Sequence, residues 1–355
     1  MWFKSISILL ILMGVISFMP LAFSQQVNFE ALESTSLSTI TENKKEIVIT
    51  AMGDCTLATD VTFGYDSTLP AVIDANHGDL AYVFKSVQSV TSIDDLTIAN
   101  LEGTFTVSQD RYPKTFAFKG PPEYGKILTL GSIEVVSLAN NHTYDYFEKG
   151  FVDTVKALDN QGIVWLGEGT AKVYTTKGVK IGLLGYGFAV NETQLAQDIS
   201  ALKSITDVLV VSFHWGEEGS YWPNFEQKSL ARLSIDSGAD MVIGHHPHVL
   251  QGIELYKNRL IAYSLGNFAF GGNMNPVDKR TMLLQGKFTI DDKGLQSLEV
   301  KIIPARISSV TWINDYQPII LEGEERQLFL EWFQQLCNGL QLQDGALRIF
   351  LGGAR

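Results

Sequence analysis

The sequence predicts an α/β fold, because short apolar runs alternate with segments of helical spacing from Ile47 to about Phe270. Five of these runs share a second property. Each is followed at once by residue types that bind metals or move protons. Ligands of α/β sheets gather beyond the carboxyl ends of the strands. The pattern therefore predicts one metal site at a sheet edge.

The five runs supply carboxylate, amide and imidazole groups, which together suit a divalent metal. In chain order they are Ile47 to Met52 before Asp54, Leu96 to Ala99 before Glu102, Val135 to Ala139 before Asn141 and His142, Val208 to Phe213 before His214 and Glu218, and Met241 to Ile243 before His246 and His248. His246 and His248 give the sharpest signal, since imidazoles two residues apart in an extended segment lie on the same side of the backbone. An unpartnered His214 after so apolar a run would be costly, which favours a ligand role over a structural one.

The two carboxylates differ in how easily a structural role explains them. Asp54 follows Gly53, and Gly-Asp pairs are common in turns. Glu102 lies so close to a buried run that it needs a partner. Asn141 offers an amide oxygen and His142 a further imidazole, although Asn residues also cap helices.

Weaker candidates surround this set. Glu217 and Glu218 are adjacent, so in an extended segment one of them can face the site as an acid or base. Asn267 and the turn that contains Lys119 are candidates for substrate contacts. Asp60 is expected in a surface loop.

Helix signals are clearest at Asn224, which can cap a helix while Gln227, three residues on, completes a capping box. Gly238 is the expected end of that helix. Three further elements are expected from the spacing of apolar residues. They are a helix through Phe151, Val155 and Leu158, a hairpin of Arg280 to Ile290 and Leu295 to Pro304, and an amphipathic helix from Glu322 to Leu340.

The N-terminus predicts an exported protein. Lys4 is the one charged residue before position 25, Ile6 to Met19 is apolar, and Ala22-Phe23-Ser24 resembles a cleavage site. We expect a secreted or periplasmic chain cut near Ser24. An uncleaved membrane anchor stays open as the alternative, although the apolar run is short for a span of roughly 20 residues.

The composition fits a globular protein with a substantial core, since 45% of its 355 residues are hydrophobic. Its formal net charge of −12 argues against nucleic-acid binding and against an anionic membrane patch. Cys55 and Cys337 leave open a disulfide in an extracytoplasmic protein, with a small buried residue as the alternative at Cys55.

Five segments carry a resemblance to a known family. They are MGDCTLATD, IANLEGTF, VVSLANNHTYDY, VVSFHWGEEGSYWPNFEQKSLARLSIDSGADMVIGHHPHVLQGIE and IAYSLGNFAF. In this order, over about Ile47 to Gly272, they resemble the CapA family of poly-γ-glutamate capsule synthesis proteins. That family is similar to the calcineurin-like metallophosphoesterases. The resemblance implies a two-sheet β-sandwich flanked by helices, with a site that can hold two metals.

The resemblance also implies roles for the matching positions. Asp54 and His248 match ligands of a first metal, and His214 and His246 match ligands of a second. Glu102 stands where the parent fold has a bridging aspartate.

Asn141 matches a ligand asparagine, and His142 matches a neighbouring histidine that contacts the transition state. His245 lies outside the His-Pro-His motif, where it is at most a substrate-binding or supporting residue. The parent fold has a second histidine where this chain has Thr56. We therefore expect a divalent metal (Mn, Zn or Fe) with one tight position and a weak or absent second.

The function implied by the resemblance is capsule or poly-γ-glutamate biosynthesis, with a hydrolase-type site that acts on or handles the polymer. His142, Glu218 and Glu217 are the catalytic candidates. A polyanionic polymer or envelope material is the expected substrate, and membrane-bound synthetase subunits are candidate partners. Two alternatives stay open: a non-catalytic assembly or export subunit of a polyglutamate synthetase, and a small-substrate metallophosphoesterase.

A polyanion would need a local positive cleft in so acidic a chain, and Arg111, Lys114 and Lys119 are its candidate sources. We expect four segments along the chain. They are a signal peptide at 1–24, a flexible lead-in at 25–45, the metallophosphoesterase-fold domain at 46–310 and a C-terminal helical extension at 311–355.

Overall fold

The computed structural model describes residues 44–167, 169–337 and 339–350. The expected signal peptide, its cleavage site and nearly all of the lead-in lie outside the described residues. Within those three ranges, no helix combines the length and the apolar character needed to cross a bilayer.

The first large sheet has nine strands within the described residues. They are β1 (Lys45–Thr56), β3 (Leu96–Leu101), β6 (Val135–Ser137), β7 (Val164–Leu166), β14 (Asn267–Phe270), β15 (Arg280–Asp291), β16 (Gly294–Arg306), β17 (Ile319–Ile320) and β18 (Ala346–Phe350). Their order is β17-β16-β15-β1-β3-β6-β7, with β14 beside β1 and β18 beside β16. Strands β1, β3, β6 and β7 run parallel, so their carboxyl ends share one edge.

The second large sheet has six strands in the described part of the chain. They are β8 (Lys172–Thr176), β9 (Val179–Tyr186), β10 (Val208–His214), β11 (Met241–His245), β12 (Leu250–Tyr256) and β13 (Arg259–Leu265). Their order is β12-β13-β11-β10-β9-β8, and β9, β10, β11 and β13 run parallel. A small third sheet consists of β2 (Thr59–Asp60), β4 (Thr104–Phe105) and β5 (Phe118–Gly120).

Seven α-helices are present in the described ranges. They are α1 (Leu69–Ala75), α2 (Gln88–Thr91), α3 (Gly125–Leu130), α4 (Phe147–Gln161), α5 (Glu192–Lys203), α6 (Phe225–Ser237) and α7 (Gly323–Leu336). Helices α1, α3 and α4 pack on the outer face of the first sheet, and α5 and α6 pack on the outer face of the second.

Strand β10 shows why the runs are apolar throughout. Val208 and Val210 belong to the core between the two sheets, whereas Leu209 and Val211 belong to the outer core under α5 and α6. Alternate residues of a strand point to opposite faces, so a strand covered on both faces needs a continuous apolar run. The result is a two-sheet sandwich flanked by helices, which confirms the expected fold class.

The local sequence signals hold where the contacts are local. The Asn224 side chain accepts a hydrogen bond from Gln227 N over 2.9 Å, and Gln227 Oε1 accepts one from Asn224 N over 3.0 Å. Gly238 follows the last turn of α6 with a φ of 120°. The capping box expected for this helix is therefore confirmed.

The chain end contributes to the first sheet. Helix α7 ends at Leu336, and β18 then pairs antiparallel with β16. The region expected as a helical extension therefore contains a strand as well as a helix. Cys55 and Cys337 are buried free thiols in different hydrophobic clusters, so the disulfide left open by the sequence does not form.

Candidate metal centre

The candidate metal ligands come from both large sheets. Asp54 lies in β1 and Glu102 directly after β3, while His214 ends β10 and His246 and His248 follow β11. Three groups of ligand atoms lie within 4.8 Å of one another. They are Asp54, Glu102 and His248; Glu102, His214 and His246; and Glu218, His246 and His248. The carboxyl edges of the two sheets thus bring these side chains into one cluster.

The two sheets touch where Asp54 lies. Gly266, with a φ of 66°, carries the chain from β13 of the second sheet into β14 of the first. Its carbonyl accepts a hydrogen bond from Asp54 N over 2.8 Å. A Cβ atom on Gly53 would lie 2.0 Å from that carbonyl oxygen, so only glycine permits the approach.

Asp54 is fully buried and surrounded by donors. Asn100 Nδ2 donates to its Oδ1 over 2.8 Å, and His248 Nδ1 lies 3.3 Å from its Oδ2. Burial alone would favour the neutral acid, but the nearby imidazoles of His245 and His248 hold the pKa of Asp54 well below its usual range. Asp54 is therefore a carboxylate, the form that binds cations.

Glu102 is also fully buried, and its two oxygens have different surroundings. Oε2 accepts a hydrogen bond from Thr56 Oγ1 over 3.0 Å. Oε1 lies 3.5 Å from His214 Nε2 and has no hydrogen-bond partner. Burial raises the pKa of Glu102. A buried carboxylate with an unpaired oxygen is costly, and a bound cation would supply the missing interaction.

The imidazoles of His214 and His246 suit ligands, because burial lowers the pKa of each and keeps each ring neutral. His214 Nε2 lies 2.8 Å from Asn141 Oδ1. His246 Nδ1 is buried without a hydrogen-bond partner. Together with Glu102 Oε1, these unpaired buried atoms show that the residues present fit a divalent metal.

His246 and His248 meet through a bend. Their φ angles are 94° and 57°, both in the left-handed region, and their ring centroids lie 5.7 Å apart. The prediction of an extended segment at His246 and His248 is therefore wrong. Non-glycine residues rarely adopt this conformation, and such strain concentrates at functional sites.

Asn267 orients His248. Its Oδ1 lies 2.9 Å from His248 Nδ1, and its Nδ2 donates to the His248 carbonyl over 3.1 Å. Burial disfavours a charge on His248, but Glu102 and Asp54 outweigh it and raise its pKa to about 10, so a metal bound at His248 would have to displace a proton from the ring. Asn267 therefore contacts a candidate ligand directly.

His142 belongs to a polar chain beside the ligands. Its Nδ1 lies 2.7 Å from Asp145 Oδ2, and its ring packs 4.5 Å, centroid to centroid, from Phe118. Asp145 also pairs with Lys114, whose ammonium donates to the Asn141 carbonyl over 2.8 Å. A carboxylate on one imidazole nitrogen fixes the ring and leaves the other nitrogen for proton transfer.

Three other residues predicted for the site lie either where a substrate does not reach them or outside the cluster of candidate metal ligands. His245 is fully buried, with its Nδ1 3.5 Å from Asp54 Oδ1, which places it behind Asp54. The Lys119 ammonium donates to Ser108 O over 2.8 Å and is directed to that loop. Glu217 is exposed and belongs to none of the three ligand groups among the described residues.

The basic residues differ in what they contact. Arg111 forms an ion pair of 2.8 Å with Asp60, which is buried and not in the surface loop expected from the sequence. Lys114 is the one of the three candidates that reaches Asn141 and Asp145. The local positive charge at the site is therefore assigned to Lys114.

Asn100 is a site residue that sequence reasoning missed. Its Nδ2 lies 2.8 Å from Asp54 Oδ1 and 3.3 Å from His214 Nδ1. Asn140 Nδ2 donates to its Oδ1 over 3.1 Å. The available signal was a single amide inside the fully buried strand β3, since a buried polar group needs a partner.

Residues 48–272 match the family described as bacterial capsule synthesis protein PGA_cap. The chain belongs to this family. The capsule biosynthesis protein CapA of Bacillus anthracis is 30% identical over 250 residues, which cover 62% of this chain and 60% of that protein. The PGA biosynthesis protein CapA of Bacillus subtilis is 34% identical over 214 residues, 53% of this chain and 56% of that protein. The resemblance to the CapA family is confirmed, and the chain spans less than two thirds of either relative's length.

A solved structure of a hypothetical protein from Thermus thermophilus is also similar. It is 14% identical, covers 73% of this chain and 99% of its own chain, and has a TM-score of 0.45.

Proposed function

We propose that this chain is a metal-dependent hydrolase of capsule or poly-γ-glutamate biosynthesis, which acts on the polymer or on related envelope material. Membership of the capsule synthesis family supports the biosynthetic context. The observation that carries the metal-dependent part is the pair of unpaired buried atoms, Glu102 Oε1 and His246 Nδ1, beside His214. A divalent cation coordinated by both atoms would satisfy them.

The proposed ligands divide into two overlapping sets. Asp54, Glu102 and His248 form one, and Glu102, His214 and His246 form the other, with Asn141 next to His214. A Mn, Zn or Fe ion held by these residues would supply Lewis-acid polarisation of a carbonyl or phosphoryl oxygen and would lower the pKa of a bound water.

His142 is the proposed proton carrier. Asp145 Oδ2 lies 2.7 Å from its Nδ1 and occupies that nitrogen. Nε2 is therefore the nitrogen that donates a proton to the reacting group or accepts one from it. Lys114 pairs with Asp145 and holds that carboxylate in place beside His142.

We also propose that the chain acts outside the cytoplasm. The short apolar run and the Ala22-Phe23-Ser24 triplet support export with cleavage near Ser24. N-terminal sequencing of the chain recovered from outside the cytoplasm tests this, and an intact Met1 on a membrane-bound product would instead favour an anchor.

A non-catalytic role is the second candidate function. A relative from Mycobacterium tuberculosis, 27% identical over 254 residues, is described as a probable polyglutamine synthesis accessory protein. An accessory subunit would use the same cluster to bind polymer or synthetase without turnover.

One experiment separates these functions. The purified chain is assayed for bound metal and for hydrolysis of poly-γ-glutamate and of a generic phosphodiester. Cleavage of the polymer supports the proposed hydrolase, and cleavage of the phosphodiester alone supports a small-substrate phosphoesterase. Bound metal without turnover of either substrate supports the accessory role, and no bound metal contradicts the metal-dependent proposal.

A further inference from the structure

The loop after β10 is tied to the loop that carries the two histidines. Trp215 N donates to the His245 carbonyl over 3.1 Å, and Gly219 N donates to the Pro247 carbonyl over 2.8 Å. These two hydrogen bonds bracket Glu217 and Glu218. The position of this acidic pair relative to the histidine loop is therefore fixed by backbone contacts.

Two glycines allow this loop its path. Gly216 and Gly219 have φ angles of 82° and 74°, which glycine adopts without strain. A Cβ atom on Gly216 would lie 2.7 Å from the amide carbon of Gln227, the residue of the α6 capping box. The start of α6 thus holds the loop from its other side.

Within this anchored loop, the carboxylate of Glu218 lies with His246 and His248 in a group whose ligand atoms are within 4.8 Å of one another. His246 is 8% exposed, and its Nδ1 has no hydrogen-bond partner. One carboxylate oxygen and two imidazole nitrogens at this spacing are a ligand set that divalent metals accept. The neighbouring Glu217 takes no part in such a group within the described residues.

We propose that Glu218 is a metal ligand, which binds with His246 and His248 at the solvent side of the centre. This assignment rests on the metal site of the proposed function and moves Glu218 from proton transfer to metal binding.

The physical consequence is a second metal position that is open to solvent. Glu218 is exposed, whereas Glu102, His214 and His246 are buried. An exposed carboxylate loses more side-chain entropy on binding and is less shielded from water than a buried one. The outer metal should therefore be held more weakly than the inner one and exchange faster.

The test is a titration of the metal-free full chain with Mn²⁺, followed by calorimetry and by the electron paramagnetic resonance of free Mn²⁺. Glu218→Gln removes the ligand charge at nearly constant shape, and Glu217→Gln is the matched control one residue away. We expect Glu218→Gln to lower the affinity for the more weakly bound Mn²⁺ by about 10–100-fold, the range typical of changes to residues around a metal. Glu217→Gln should change it less than about twofold, because exposed charges that make no contact interact weakly.

Each other outcome overturns the assignment in a recognisable way. Unchanged Mn²⁺ binding in Glu218→Gln removes Glu218 from the metal, and loss of Mn²⁺ in His246→Gly would then leave the proposed function standing. Equal weakening in both glutamine variants would show a charge effect without ligation. A chain with no affinity for Mn²⁺ or Zn²⁺ would overturn both this assignment and the metal-dependent function.

Discussion

The hydroxyl of Thr56 donates a hydrogen bond of 3.0 Å to Oε2 of Glu102. Both side chains are fully buried, so this is the interaction that satisfies one of the two oxygens. The other oxygen, Oε1, is left for a cation. Thr56 therefore selects which oxygen of the Glu102 side chain remains free.

Thr56→Val should lower the free energy of unfolding of the metal-free chain by about 1–3 kcal/mol, because it leaves Oε2 of Glu102 buried without a donor. Thr56→Ser keeps the hydroxyl and should cost clearly less. Chemical denaturation of the three proteins measures the difference. A loss of stability in the serine variant with none in the valine variant would assign the effect to packing of the methyl group.

His246→Gly should remove the tightly held metal, since His246 belongs to two of the three ligand groups. Glycine is chosen because the φ of 94° at this position strains an alanine. Elemental analysis after dialysis should find a metal content at least about tenfold lower than in the unmodified chain. His77→Asn, on an exposed turn with a φ of 59°, is the matched control and should retain the metal. Full metal content in the glycine variant would contradict the ligand role.

Asp145→Asn should lower kcat by roughly 10²–10⁴-fold, the usual contribution of a positioned proton carrier, without changing the affinity for metal. Asparagine keeps the shape of the side chain but no longer holds His142 as a charged acceptor. Steady-state rates and a metal titration on the same preparations separate the two effects. A parallel fall in metal affinity would place Asp145 in support of the ligands instead.

Glu134 should make stability depend on pH far from the site. Burial raises its pKa from the usual value of 4.5 to about 7, although its Oε2 accepts a hydrogen bond from Thr97 N over 2.8 Å. Between these two values the folded chain binds more protons than the unfolded chain, so stability falls as pH rises through this window. Glutamine at position 134 does not titrate. The free energy of unfolding of Glu134→Gln should therefore exceed that of the unmodified chain by about 1 kcal/mol at pH 8, once solvent screening is allowed for.

Thermal unfolding of both proteins from pH 4.5 to pH 8 checks this. The difference in Tm should widen with rising pH and then level off above the folded-state pKa. A difference that is the same at every pH would show that Glu134 keeps an ordinary pKa in the folded chain.

The sequence predicts those features of the structure that depend on contacts between near neighbours in the chain. The capping box of Asn224 and Gln227 is confirmed because both partners lie within one helical turn. The bend at His246 and His248 depends on contacts with distant strands, so the extended segment expected from two-residue spacing is wrong. The role of the Asn100 amide depends on its contacts with Asp54 and His214, which the packing of the two sheets brings together.

The crossing of the chain at Gly266 bears on the order of folding. His246 N contacts Asp54 Oδ2 although the two residues are 192 positions apart in the sequence. Closing so long a loop is entropically costly and is typical of late steps in folding. A chain with only one sheet formed has an incomplete ligand set. Metal binding would therefore favour the final docking of the two sheets. Retention of the metal would then show that a newly made chain has folded completely.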